Sequence, residues 1–249
     1  MLNDVFKDCT VKGNFIFLPD YQLDRSIYLK IKKAFSNIFG KWDRKSKGFK
    51  FDYDPSEKLQ SLISGNDVNL IKEFQYFFTP KLLAKKLVEL ANIQDFNTVL
   101  EPSAGQGHII EEIYNNDVIC NIYAVELMEE NFNVLLKKQK EKLMHFYAIK
   151  GDFLKINDIE EEYFDRIIAN PPFSKNQDID HVRQMYRFLK KGGVLISIMS
   201  IHSTFANDKK SLSFRAWLHD LDHEIINLPS GSFKESGTNV GAIILVIEK

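Results

Sequence analysis

Glu101 opens the stretch EPSAGQG (101–107), where an acid precedes two closely spaced glycines. Gly105 and Gly107 would let the backbone come close to a ligand at a helix N-terminus, as in loops that hold a pyrophosphate. Glu101 would repel phosphate, however, and a carboxylate is better matched to a cationic ligand or an α-amino group. Ile110 at the third fingerprint position, in place of glycine, argues further against a nicotinamide. Glu126 follows Gly107 by nineteen residues, the spacing at which an acid on the next strand meets a ribose diol. In GDF, Asp152 could accept from an adenine exocyclic amine and Phe153 could pack on the purine face; a plain turn after a strand is the other reading. Glu126 supports an adenosine-type ligand without telling NAD from any other adenosine cofactor, and an acid at a strand end also arises by chance.

A fourth stretch, DRIIANPPFSK (165–175), runs an apolar strand into an amide, two prolines and an aromatic ring. Two prolines lack backbone N–H groups and fix φ, so they end the strand and stiffen the path on both sides. Asn170 and Phe173 are thereby displayed at a strand's carboxyl end.

Helices alternating with continuous apolar runs must position these residues, the pattern of a mostly parallel sheet covered on both faces. Strands are expected at 98–102, 121–127, 145–152, 164–172, 193–200, 223–229 and 241–249, the last two paired as a hairpin. Helices are expected at 80–92, from Gly107, at 129–139, 180–190 and 211–220. This is an α/β fold with a doubly wound, seven-stranded, mostly parallel sheet, in which ligands bind outside the carboxyl ends of the strands. Residues 1–68 read as a separate small α+β unit and 69–249 as the main domain. In the small unit a helix over 24–39 takes Asp24 as N-cap and Gly40 as C′, a strand-turn-strand covers WDRKSKGFKFDYDP, and a short helix follows at 55–64.

The net charge of -1 hides an asymmetry. Residues 1–70 carry twelve Lys/Arg against nine Asp/Glu, concentrated in Lys41, Arg44, Lys45, Lys47 and Lys50 around the single acid Asp43. Interleaved with Trp42 and Phe49, these side chains could grip phosphates and meet bases. A solvated turn with lysines outside and aromatics in a small core is the alternative. Cys9 and Cys120 make neither a disulfide framework nor a metal knuckle, and the six histidines lack ligand spacing, so no metal is expected. No apolar run approaches the roughly 18 residues of a membrane span, and no secretory signal opens the chain. A cytoplasmic location is expected.

Asn170-Pro171-Pro172-Phe173, on the fourth strand of a sheet whose first strand carries EPSAGQG, resembles the signature of S-adenosylmethionine-dependent DNA amino-methyltransferases. FFTP (77–80) resembles the motif that packs over the methionine part of the cofactor, and GSFKESGTNVGAIILV the motif that lines the target-base pocket. The order, FTP before the glycines and NPPF after them, is similar to the gamma group of adenine-specific enzymes. The resemblance covers residues 71–249.

It implies a class I methyltransferase, Rossmann-like, that transfers a methyl group to the N6 amine of adenine in duplex DNA after flipping the base. Asn170 and the Pro171 carbonyl would accept from the amine, held by the turn that Pro172 completes. Phe173 would stack on the base, with Phe233 on its opposite face. Glu101 would lie near the methionine amino group, Ala104, Gly105 and Gly107 along the cofactor backbone, Glu126 at the ribose, and Asp152 and Phe153 at the adenine. Leu127 and Asn170 also count among the cofactor residues, and Thr79 and Pro80 would close over the methionine end. Phe74 and Phe77 are assigned to ordinary core. Lys175 could meet a phosphate or sit in a solvated loop.

Sequence-reading relatives usually carry a recognition domain after the late motif, so sequence choice is expected from the basic unit or from a partner chain. No nuclease constellation accompanies the motifs. An RNA base, a protein glutamine amide, and DNA binding without turnover are the competing functions.

Overall fold

Continuous apolar runs form strands buried on both faces. In the computed structural model, which describes residues 2–70, 78–141, 145–234 and 240–249, the chain divides into two units, Met1–Tyr76 and Phe77–Lys249. This division falls later than the expected 68/69 boundary.

The second unit is built on β5 (Thr98–Glu101), β6 (Asn121–Glu126), β7 (Phe146–Lys150), β8 (Phe164–Ala169), β9 (Leu189–Ser200), β10 (Asp222–Asn227) and β11 (Ala242–Glu248). Their spatial order is β10-β11-β9-β8-β5-β6-β7, with β11 antiparallel to both neighbours and the remaining pairs parallel. Strand residues alternate between two cores. Val99, Ile168, Ile196 and Ile244 join helices Lys81–Ala91, His108–Tyr114 and Glu129–Glu141 on one face. Leu100, Ile167, Leu195 and Leu245 join helices Gln177–Phe188 and Lys209–His219 on the other. The chain moves from β5 outward to β6 and β7, then returns to β8 on the opposite side of β5. The β5/β8 crevice is therefore the point where strand order reverses, the place where such sheets bind ligands.

The first unit holds β1 (Thr10–Lys12), β2 (Phe15–Phe17), β3 (Lys41–Asp43) and β4 (Gly48–Lys50) in the antiparallel order β1-β2-β4-β3, with helices Leu2–Asp8, Arg25–Asn37 and Ser56–Ile63. Phe35 is its centre, in ring contact with Phe6, Phe49 and Phe51. Asp24 caps helix Arg25–Asn37 as expected, accepting from the Ser26 N–H at 2.8 Å. The C-terminal cap differs from expectation. Phe39 takes the left-handed C′ position (φ 67°) and donates to Ser36, while Gly40 stands at C″ and donates to Phe35 O at 2.7 Å. Glycine is required at 40 for space, because a Cβ there would lie 2.6 Å from the Phe51 ring.

Candidate active site

β5 delivers Glu101 to the crevice, where it is 2% exposed and its Oε2 has no hydrogen-bond partner among the described residues. Burial and the neighbouring Glu126 push its pKa well up, against the pull of Lys138. Glu126, at the end of β6, is also buried, yet both of its oxygens accept from backbone: Oε2 from Gly105 N at 2.7 Å and Oε1 from Met128 N at 2.6 Å. Burial raises its pKa and these donors oppose the rise. The glycine loop is thus folded against β6, a placement completed by Ala104 N donating to Val125 O at 3.0 Å. Gly105 (φ 55°) and Gly107 (φ 79°) occupy the left-handed region that favours glycine. Leu127 follows as a half-exposed apolar side chain beside these acids.

Asp152 sits at the end of the next parallel strand, partly exposed, with Oδ1 accepting from Leu154 N at 3.1 Å and Oδ2 3.3 Å from Lys155 Nζ. Phe153 departs from expectation. Its ring is 2% exposed and packs on His181 and Phe188 in the core, so it presents no face to a purine.

On the target side β8 ends at Ala169, as two prolines require. Asn170 Nδ2 donates to Thr79 Oγ1 at 3.1 Å, joining NPPF to FTP across 91 residues of chain. Thr79 and Pro80 are buried, and Pro80 starts helix Lys81–Ala91. Pro171 is buried, while Pro172 and Phe173 are partly exposed. Phe233 lies edge-on to Phe173, with centroids 6.5 Å apart at 87°, and is itself 2% exposed. The expected parallel-walled slot is therefore not formed: Phe233 is core that buttresses Phe173. Lys175 is exposed. Lys41, Arg44, Lys45 and Lys47 are exposed in the first unit, where Phe49 is buried and Trp42 is 40% exposed. Phe74 and Phe77 lie outside the described residues.

Three residues missed by sequence reading belong to the helix after NPPF. Asp178 accepts from Ser200 N at 2.9 Å, His181 Nδ1 stands 3.4 Å from Ser103 Oγ in the glycine loop, and Gln184 donates to Phe153 O at 2.9 Å. Burial pushes Asp178 up to about 6 and His181 down to about 4. Their spacing of three among Ile179, Val182 and Met185 was the available signal: polar groups on the apolar face of a helix. Among the described residues no group of His, Cys, Asp or Glu is placed to hold a metal ion, and no helix is long and apolar enough to cross a membrane.

The family model for N-6 DNA methylase matches residues 62–199. Modification methylase CviBIII of Paramecium bursaria Chlorella virus NC1A is 28% identical over 193 residues, which cover 68% of this chain and 48% of that protein. Ribosomal RNA small subunit methyltransferase A of Borreliella burgdorferi is 25% identical over 100 residues, 40% of this chain and 34% of that one. The chain thus spans about half or less of the length of these curated relatives. Among solved structures, a modification subunit of a type I restriction enzyme from Vibrio vulnificus superposes with a TM-score of 0.59 at 14% identity, over 91% of this chain and 50% of that one. TrmN from Thermus thermophilus gives 0.52 at 20% identity, over 68% and 48%. Both likenesses show the class I methyltransferase fold. The family model covers more than half of the sequence and spans the glycine loop and the NPPF turn, and the chain belongs to the N-6 DNA methylase family.

Proposed function

We propose that the protein transfers a methyl group from S-adenosylmethionine to the N6 amine of adenine in DNA. The buried Glu101 oxygen, unpartnered among the described residues, fits the cofactor's α-amino group, the exposed Leu127 side chain fits its purine, and Glu126 and Asp152 fit the ribose and adenine ends. When bound, the cofactor supplies an electrophilic methyl group on a sulfonium. The observation that supports the reading is the Asn170–Thr79 hydrogen bond at 3.1 Å, which ties the NPPF turn to the FTP stretch; in this reading the amide nitrogen is the donor there and the amide oxygen takes the acceptor role. That oxygen and the Pro171 carbonyl accept from the adenine amine and draw its lone pair out of the ring. With the cofactor bound, these two acceptors would hold the amine toward the methyl group and stabilise the positive charge that develops on nitrogen until one amine proton passes to solvent. Positioning and electrostatics supply the acceleration, with no strong base required. Phe173 stacks on the flipped base.

The expected result with labelled cofactor and duplex DNA is N6-methyladenine, lowered at least about a hundredfold by Asn170→Ala while calorimetric cofactor binding persists. Structured RNA and a Gly-Gly-Gln peptide are assayed in parallel. Label in RNA alone would replace this reading with the second one, which the ribosomal RNA methyltransferase match supports.

The names of the relatives, modification methylase and modification subunit, support a restriction-modification role in the cytoplasm, with sequence choice supplied by a partner chain. The basic turn of the first unit is assigned to DNA phosphates. Replacing Lys41, Arg44, Lys45 and Lys47 by alanine should reduce the slope of log affinity against log salt by about 3 to 4. An unchanged slope removes the turn from the interface.

A further inference from the structure

The turn after Phe173 carries two consecutive non-glycine residues in the left-handed region, Lys175 (φ 54°, ψ 28°) and Asn176 (φ 55°, ψ 39°). Asparagine tolerates this conformation. Lysine there brings its Cβ against a carbonyl oxygen, and such a pair persists only where its surroundings hold it. Two holding contacts come from one distant place, the start of helix Lys209–His219. Lys210 Nζ donates to the backbone carbonyl of Lys175 at 3.2 Å, and Asn176 Nδ2 donates to Asp208 Oδ1 at 3.3 Å. Asp208 is fixed in turn as the N-cap of that helix, accepting from the N–H groups of Lys210 and Ser211. Lys210 also pairs with Asp180 in the first turn of helix Gln177–Phe188, so its ammonium spans the turn and the helix the turn leads into.

We propose that Lys210 is a positioning residue for the target site: by holding the Lys175 carbonyl it maintains the left-handed pair, which sets the direction of the chain leaving Phe173 and hence the ring's place beside Asn170. The inference rests on the methyl-transfer reading above and adds a residue that acts through the turn. Glycine enters the left-handed region without the Cβ penalty. A glycine at 175 therefore leaves the clamp little to do, which separates this role from a general structural one.

The test is a four-protein cycle: parent, Lys210→Met, Lys175→Gly and the double variant. Lys210→Met should lower kcat/KM for DNA about tenfold in the parent background. In the Lys175→Gly background the same change should cost less than about twofold. S-adenosylmethionine affinity, by calorimetry, should be equal in all four. An equal loss in both backgrounds, or a loss of cofactor affinity, overturns the proposal. Asp180→Asn removes the ion pair and spares the carbonyl contact, and should cost under about twofold; a loss equal to that of Lys210→Met overturns it by assigning the effect to the pair. Independently of activity, trypsin should cut the Lys175–Asn176 bond of the folded protein about tenfold faster in Lys210→Met, and an unchanged rate overturns the clamp. A parent protein that methylates none of the substrates defeats the functional reading, whereas the cleavage rates still decide the clamp.

Discussion

The two ends of the β5/β8 pair treat polar groups in opposite ways. At the amino ends Asp165 Oδ2 accepts from Thr98 N at 2.7 Å and Thr98 Oγ1 at 2.6 Å, its Oδ1 lies 2.9 Å from Lys190 Nζ, and Arg166 Nε donates to Ala91 O at 2.6 Å. At the carboxyl ends Glu101 is buried with an oxygen that has no hydrogen-bond partner among the described residues. The strands are the same and their pairing is continuous, Val99 beside Arg166 and Leu100 beside Ile167. Buried polar groups are normally satisfied, so one end anchors the sheet while the other, among the described residues, leaves a buried acceptor open, as the proposed cofactor site requires.

The sharpest way to break this contrast is Glu101→Gln. Cofactor affinity should fall by about 2–3 kcal/mol, the worth of a hydrogen bond to a charged group. The free protein should behave oppositely. Because the folded pKa of Glu101 is raised, the parent loses stability as pH rises through it, and the amide lacks that loss. Melting curves across pH should therefore show the variant gaining on the parent toward alkaline pH, and unaltered cofactor affinity would end the assignment. At the amino ends Asp165→Ala should cost about 2 kcal/mol by stranding the Thr98 donors and Lys190, measured by denaturant unfolding, with cofactor affinity of the folded fraction unchanged. A change in that affinity would mean the two ends are not separate.

A smaller effect lies in the helix after NPPF. Asp178, raised to about 6, contributes stability at low pH that is lost as pH rises through 6. His181, lowered to about 4, contributes stability above its ordinary value of 6.5 that is lost as pH falls toward 4. The two slopes oppose each other between about 4 and 6. Asp178→Asn leaves the histidine slope alone, so its stability relative to the parent should fall by up to about 2 kcal/mol from pH 6 to 4. A flat difference would show that Asp178 itself titrates normally, since the His181 contribution cancels between variant and parent.

The sheet and its carboxyl-end residues were legible because burial on both faces writes long apolar runs, and prolines and glycines punctuate their ends. Helix Leu2–Asp8 and strands β1 and β2 were not read, since three-residue strands are shorter than any period that could reveal them. The strand expected at 193–200 begins at Leu189, and Gly192 and Gly193 are clasped into the sheet by Lys249, whose carbonyl accepts from Gly192 N and whose N–H donates to Gly193 O. Aromatic residues misled at the site. Phe153 and Phe233 stand beside the motifs, yet a sequence does not say which side of a turn a ring takes, and both rings turned inward. The polar residues of helix Gln177–Phe188 were missed for the converse reason: they face the core because the loops they bind are there.

The reversal of β11 decides where the chain can tolerate added length. Since β10 runs with the parallel strands and β11 runs back, their connection opens at the same edge as Glu101 and Asn170, while the strands pair with each other from Asp222–Glu248 to Asn227–Ile243. Closure entropy grows only slowly with length, roughly 0.6 kcal/mol per doubling. Lengthening this connection should therefore cost little stability, while the ladder beneath keeps its register.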